Sequence, residues 1–132
     1  MIAMEQYYQK EIETASLDEI RAIQNERLVN TVNRVYKNNE YYRDLMEKKG
    51  VTPDDIKSVD DLHKLPFLTK DDLRKAYPYG LMSAPLSECV RIHSTSGTTG
   101  KRVVAFYTQH DIDLWEDCCA RAIVAAGGTK ED

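Results

Sequence analysis

Cysteine is scarce in this chain: Cys89, Cys118 and Cys119 are its three thiols, an odd number in which two are sequence neighbours. That count supports no disulfide framework, and reduced thiols are expected. No Cys-x-x-Cys or His-x-x-x-His pair begins a four-ligand zinc site. Cys89 and His93, four residues apart on an extended segment, would stand about 13 Å apart along the backbone, too far for a simple shared metal. No metal-ligating residue is therefore assigned. The chain also lacks an uncharged apolar run of the roughly 20 residues that a spanning helix needs. Its first residues, Met1-Ile2-Ala3-Met4-Glu5, hold no basic segment ahead of an apolar core. A cytoplasmic protein with no membrane partner is expected. Nor is there an excess of basic charge: 18 Lys and Arg against 22 Asp and Glu give a formal net charge of −4. Such a balance offers no general attraction to nucleic acid, and no nucleic-acid partner is expected.

What is present is ordinary for a folded domain, with 42% hydrophobic and 30% charged residues over 132 positions. The first half reads as helical. Residues 4–14 suggest a short helix carrying Tyr7, Tyr8 and Ile12. Ser16-Leu17-Asp18-Glu19 then has the Ser-x-x-Glu pattern in which two side chains satisfy free amides at a helix start. Leu17, Ile20, Ile23, Leu28, Val32 and Val35 recur at helical spacing and predict one buried face on a helix running to about Lys37. Asn38-Asn39 interrupts it, a second helix resumes at Glu40, and Gly50 supplies a stop. Tyr36, Tyr41 and Tyr42 alternate with Leu45 and Met46, so packing is expected of them more than ligand stacking. Thr52-Pro53-Asp54-Asp55 reads as a capped turn and Val59-Asp60-Asp61-Leu62 as a short helix. Leu65-Pro66 imposes extended backbone, Thr69 with Asp72 caps another short helix, and Tyr77-Pro78-Tyr79-Gly80 turns the chain. Residues 1–64 are thus expected to form an N-terminal helical module, 65–88 a connecting segment, and 89–132 the start of a different, β-containing core.

In that last part lies the most distinctive stretch, Ser94-Thr95-Ser96-Gly97-Thr98-Thr99-Gly100-Lys101-Arg102. Two glycines within four residues let backbone N–H groups converge into an anion-binding concavity, and Ser96, Thr98 and Thr99 add hydroxyl donors. Lys101 adds a flexible positive charge of the kind that pairs with a polyphosphate. A Walker A loop would need Gly where Thr95 stands and Ser or Thr where Arg102 stands, and would lead into a helix. Here Val103-Val104-Ala105-Phe106-Tyr107 follows, a β-branched and aromatic run, and Cys89 to Thr95 precedes, so the pattern predicts strand, loop, strand. Thr108 with Asp111 caps a final helix from Gln109 to about Ala126, with Ile112, Trp115, Cys119, Ala122, Ile123 and Ala126 on one face and Gly127-Gly128 at its end. Cys118 and Cys119 are expected to pack there as small apolar residues. Asp111 and Trp115 are read as a cap and a packing residue, and His63, His93 and His110 receive no assigned role.

The loop resembles the phosphate loop of the adenylate-forming enzymes, S/T-S/T-G-T/S-T-G-x-P-K. Within that family the resemblance is to phenylacetate-coenzyme A ligases. Leu65-Pro66-Phe67-Leu68-Thr69-Lys70-Asp71-Asp72-Leu73-Arg74 is similar to their L-P-F-T-T-K-x-D-L-R segment, and Tyr77-Pro78-Tyr79-Gly80-Leu81, Arg91-Ile92-His93 and Tyr107-Thr108 with Asp111 and Trp115 match in order. There are departures: Leu68 stands where Thr is usual, and Arg102 where the loop carries Pro, whose ring would fix φ. The resemblance implies an α/β fold, α+β in this stretch, in which a helical module precedes a β-hairpin carrying the Gly-rich loop and a final helix, all part of a larger adenylate-forming fold. It implies that Thr95, Ser96, Gly97, Thr98, Thr99, Gly100 and Lys101 contact ATP, with Mg²⁺ on the triphosphate and coenzyme A as the later acceptor. The activity implied is ligation of an aryl acid to coenzyme A through an acyl-adenylate. It also implies that the chain corresponds to the N-terminal portion of such an enzyme, inactive alone and self-associating into homo-oligomers, with catalytic residues beyond position 132. Relatives acting on another acid or acceptor, and a noncatalytic helical interaction module, remain as alternatives.

Overall fold

The computed structural model describes residues 7–97 and 102–129. Five α-helices are seen among them: α1 (Lys10–Glu13), α2 (Leu17–Asn38), α3 (Glu40–Lys48), α4 (Lys70–Lys75) and α5 (Gln109–Ala125). Short 3₁₀ turns lie at Pro53–Asp55, Val59–Lys64 and Leu86–Glu88, and two strands, β1 (Cys89–Ser94) and β2 (Val104–Thr108), form an antiparallel hairpin.

Local chemistry places most of these boundaries. The Ser16 hydroxyl accepts from the Glu19 N–H at 3.3 Å while the Glu19 carboxylate accepts from the Ser16 N–H at 2.8 Å, opening α2 as a reciprocal cap. Thr69 with Asp72 opens α4 the same way, and Thr108 with Asp111 opens α5. The α2–α3 break is a single residue, Asn39. Its N–H closes α2 onto the Val35 carbonyl at 2.8 Å, and its side-chain oxygen opens α3 by accepting from the Tyr42 N–H at 2.9 Å. Gly50 follows α3 at φ 70°, a left-handed conformation that glycine adopts without Cβ strain.

The core sits where α2 and α3 pack on the 3₁₀ turns. Val32, Met46, Val51 and Ile56 are buried together, with Leu28, Tyr36, Tyr42 and Leu65 against them. Tyr36 and Tyr42 thus pack as their spacing suggests, and Tyr41 sits beside them with its hydroxyl donating to Asp72 at 2.8 Å. Leu17 departs from the expected buried face and is exposed, because it lies in the first turn of α2, ahead of the packed surface.

The C-terminal helix differs more from expectation. Ile112 is buried, but Leu114, Trp115 and Ile123 are each at least 40% exposed, and Cys118 and Cys119 lie on the surface instead of packing as small apolar residues. Of these, helical spacing had grouped only Trp115, Cys119 and Ile123 with Ile112 on one face, and β2 packs against α5 without burying that whole face. No helix of the described residues is long and apolar enough to cross a membrane.

Candidate functional site

The hairpin presents the loop. β1 and β2 pair as Arg91 with Tyr107, Ile92 with Phe106, His93 with Ala105 and Ser94 with Val104, with a bulge between Cys89 and Arg91. Opposed residues share a face of the sheet. On one face His93 and Tyr107 meet Trp115 of α5: ring centroids are 5.0 Å apart for His93–Tyr107, 5.6 Å for His93–Trp115 and 5.7 Å for Tyr107–Trp115. Tilted and edge-on contacts at such separations add about 0.5–1.5 kcal/mol per pair beyond area burial. On the other face Phe106 meets Tyr79 at 5.5 Å. Both faces of the loop's stem are therefore braced by rings. Sequence reading picked out each of these residues without joining them; the hairpin register, with Tyr107 diagonal to His93, was the signal that connects them.

Past the last strand pair the ladder continues for one rung. The Thr95 N–H donates to the Val103 carbonyl at 3.0 Å, and the Val103 N–H donates to Thr95 Oγ1 at 3.1 Å. Ser96 follows, exposed, and then Gly97 at φ 74°. Glycine takes that left-handed conformation without Cβ strain. Of the predicted contact residues, Thr95, Ser96 and Gly97 are thus placed at the mouth of the stem, while Thr98, Thr99, Gly100 and Lys101 lie outside the described residues. Arg102, on the returning arm, is exposed. That arm enters a strand and not a helix, which excludes a Walker A loop.

Beside the stem, α5 begins on Thr108 and Asp111. The Thr108 N–H and hydroxyl donate to one Asp111 oxygen at 2.9 and 2.8 Å. Burial works against ionisation of Asp111, but these hydrogen bonds, with Arg34 and His110 nearby, outweigh it and hold the carboxyl below the usual range. Asp111 is thereby a cap, as its spacing suggests. It also lines a cleft of about 320 Å³ between α2 and the hairpin, together with Arg34, Met82, Ala84, Phe106 and Thr108. Among the described residues no group of three or more His, Cys, Asp or Glu is arranged to hold a metal ion.

No protein-family model matches the chain. Comparison with solved structures places the fold among acyl-CoA ligases. The 2-hydroxyisobutyryl-CoA ligase in complex with 2-HIB-AMP and CoA superposes with a TM-score of 0.81 over 92% of this chain and 27% of that one, at 27% identity. Its open conformation superposes with a TM-score of 0.81 over 92% of this chain and 29% of that chain, at 25% identity. In sequence the chain matches the N-terminal part of phenylacetate-coenzyme A ligases. It is 48% identical over 121 residues to that of Escherichia coli (strain K12) and 50% identical over 121 residues to that of Aromatoleum evansii. Each match takes in 92% of this chain, and the chain spans about 28% of the length of these curated relatives.

Proposed function

We propose that the chain supplies the triphosphate grip of an ATP-dependent ligase that joins an aryl acid of the phenylacetate type to coenzyme A. The observation that carries this reading is identity of 48–50% across 92% of the chain to phenylacetate-coenzyme A ligases. The whole reaction has two steps. The acid's carboxylate attacks the α-phosphorus of ATP and expels pyrophosphate, leaving an acyl-adenylate; the thiol of coenzyme A then attacks the acyl carbon and expels AMP. In the first step charge accumulates on the departing pyrophosphate, and fixed donors aimed at it lower the barrier.

Thr95, Ser96, Gly97, Thr98, Thr99, Gly100 and Lys101 form that donor set in this reading. The left-handed Gly97 fits the role, because a Cβ there would be strained. Mg²⁺ would accompany the triphosphate and offset its charge, with no protein ligand assigned to it in this stretch. Residues 1–64 serve as the helical module that backs the core, residues 65–88 as the connection, and residues 89–132 as the opening of the adenylation core. The protein acts in the cytoplasm on small molecules.

Calorimetric titration of the 132-residue chain with pyrophosphate and with ATP tests the reading. Binding that weakens about tenfold or more in Lys101→Ala, the scale of one charge-assisted contact, is expected. A wild-type chain that binds neither ligand, or a K101A chain that binds both unchanged, refutes it.

A further inference from the structure

The last rung of the hairpin departs from an ordinary ladder. Thr95 and Val103 stand in the next hydrogen-bonded position after His93–Ala105, where antiparallel partners exchange two backbone bonds. One is made, from the Thr95 N–H to the Val103 carbonyl. The other runs from the Val103 N–H to the Thr95 side-chain oxygen, at 3.1 Å, in place of the Thr95 carbonyl.

We infer that Thr95 is a positioning residue that clasps the loop: its hydroxyl substitutes for its own carbonyl, letting the outgoing arm leave the sheet while the returning arm stays tied to it. A side chain is needed for this, since a backbone carbonyl held in the ladder would keep residues 95 and 96 extended. Two residues later the chain turns through Gly97 at φ 74°, which the released backbone permits. The returning arm carries Arg102 immediately before Val103, so the clasp also fixes where that arm re-enters the sheet. Accepting from Val103 uses one lone pair of the hydroxyl and leaves its proton free to donate to an anion at the mouth of the stem.

The role for phosphate rests on the proposed function; the clasp itself does not. The experiment separates them by comparing wild type, Thr95→Ser and Thr95→Val in the 132-residue chain. Amide exchange at Val103 reads the clasp, pyrophosphate titration reads the consequence, and thermal melting checks that the fold persists. T95V keeps the β-branched shape and removes the hydroxyl, both the acceptor for the Val103 N–H and the donor toward an anion. It is expected to speed Val103 exchange and weaken pyrophosphate binding, each about tenfold, the scale of one lost net hydrogen bond. T95S is expected to restore both, and the melting midpoint should move little. Unchanged Val103 exchange in T95V overturns the clasp whatever happens to pyrophosphate. Faster exchange with undiminished pyrophosphate binding overturns the positioning role. A wild-type chain indifferent to pyrophosphate overturns the phosphate reading and with it the positioning role, while Val103 exchange still decides whether the hydroxyl closes the hairpin.

Discussion

Asn39 is the position at which a small perturbation should tell most about how the helical module holds the site. The residue is 2% exposed, and its N–H and side chain together serve three partners. Its N–H ends α2, its side-chain oxygen accepts from the Tyr42 N–H at 2.9 Å, and its side-chain amide donates to the Met82 carbonyl at 3.3 Å. The Met82 contact matters because that segment walls the cleft beside Phe106 and leads into β1. Replacing Asn39 by Ala removes the cap of α3, worth about 1 kcal/mol. It also strips a partly buried hydrogen bond from the Met82 carbonyl, worth about 1 kcal/mol more. The sum of about 2 kcal/mol corresponds to a fall of roughly 6–10 °C in melting midpoint for a chain of this size. Asn39→Ser separates the contributions, since a serine hydroxyl caps α3 but is too short to reach Met82; about half the loss is expected. Urea denaturation of the three proteins measures both values. An N39A chain within about 0.5 kcal/mol of wild type, or an N39S chain as unstable as N39A, would refute the reasoning.

Met46 is fully buried between Val32, Val51 and Ile56, so Met46→Ala should cost about 2–4 kcal/mol by lost transfer energy and cavity formation. Phe67→Ala, at a side chain 88% exposed, should change stability by less than about 0.5 kcal/mol; a reversed order would contradict the placement of the core. Asp72 is held down to about 2 by the Thr69 hydroxyl, the Thr69 N–H and the Tyr41 hydroxyl. Its folded pKa lies below the unfolded value of 3.8, so its contribution is complete above that value and disappears as the pH falls toward about 2. Urea denaturation of wild type and Asp72→Asn between pH 6 and about 2 should show a flatter acid limb in the variant, and parallel limbs would remove Asp72 as a contributor.

Elements whose cause is local were legible in the residues. The Ser16–Glu19, Thr69–Asp72 and Thr108–Asp111 pairs open α2, α4 and α5 because a hydroxyl and a carboxylate three positions apart meet the helix's own free amides. The hairpin was legible too, from β-branched and aromatic runs flanking a glycine-rich interval. Burial was less so. Periodicity states which residues share a face, and it placed Trp115, Cys119 and Ile123 together on α5, but what covers a face is decided by other parts of a fold. The site divides along the same line. Glycine and hydroxyl content marked the loop, whereas the use of the Thr95 hydroxyl depends on register, since a slip of one residue would have placed another side chain opposite Val103.

Arg102 shows why that hydroxyl matters to the function proposed above. The resembling loops carry proline there, which restricts φ and stiffens the returning arm; arginine does neither. Stiffness is not a detail for a polyphosphate site on a surface. Single cations near water interact weakly across a high dielectric, and each long side chain gives up rotamer freedom to hold one geometry. Affinity then depends on several donors already converged before the ligand arrives, so that ordering is not charged against binding. In this chain the stem is held by rings packed on both faces of the hairpin, a left-handed Gly97 on the outgoing arm, and a bond from Thr95 to the residue directly after Arg102. The side-chain bond at Val103 restrains the arm that proline would otherwise have restrained, and it does so from the opposite strand.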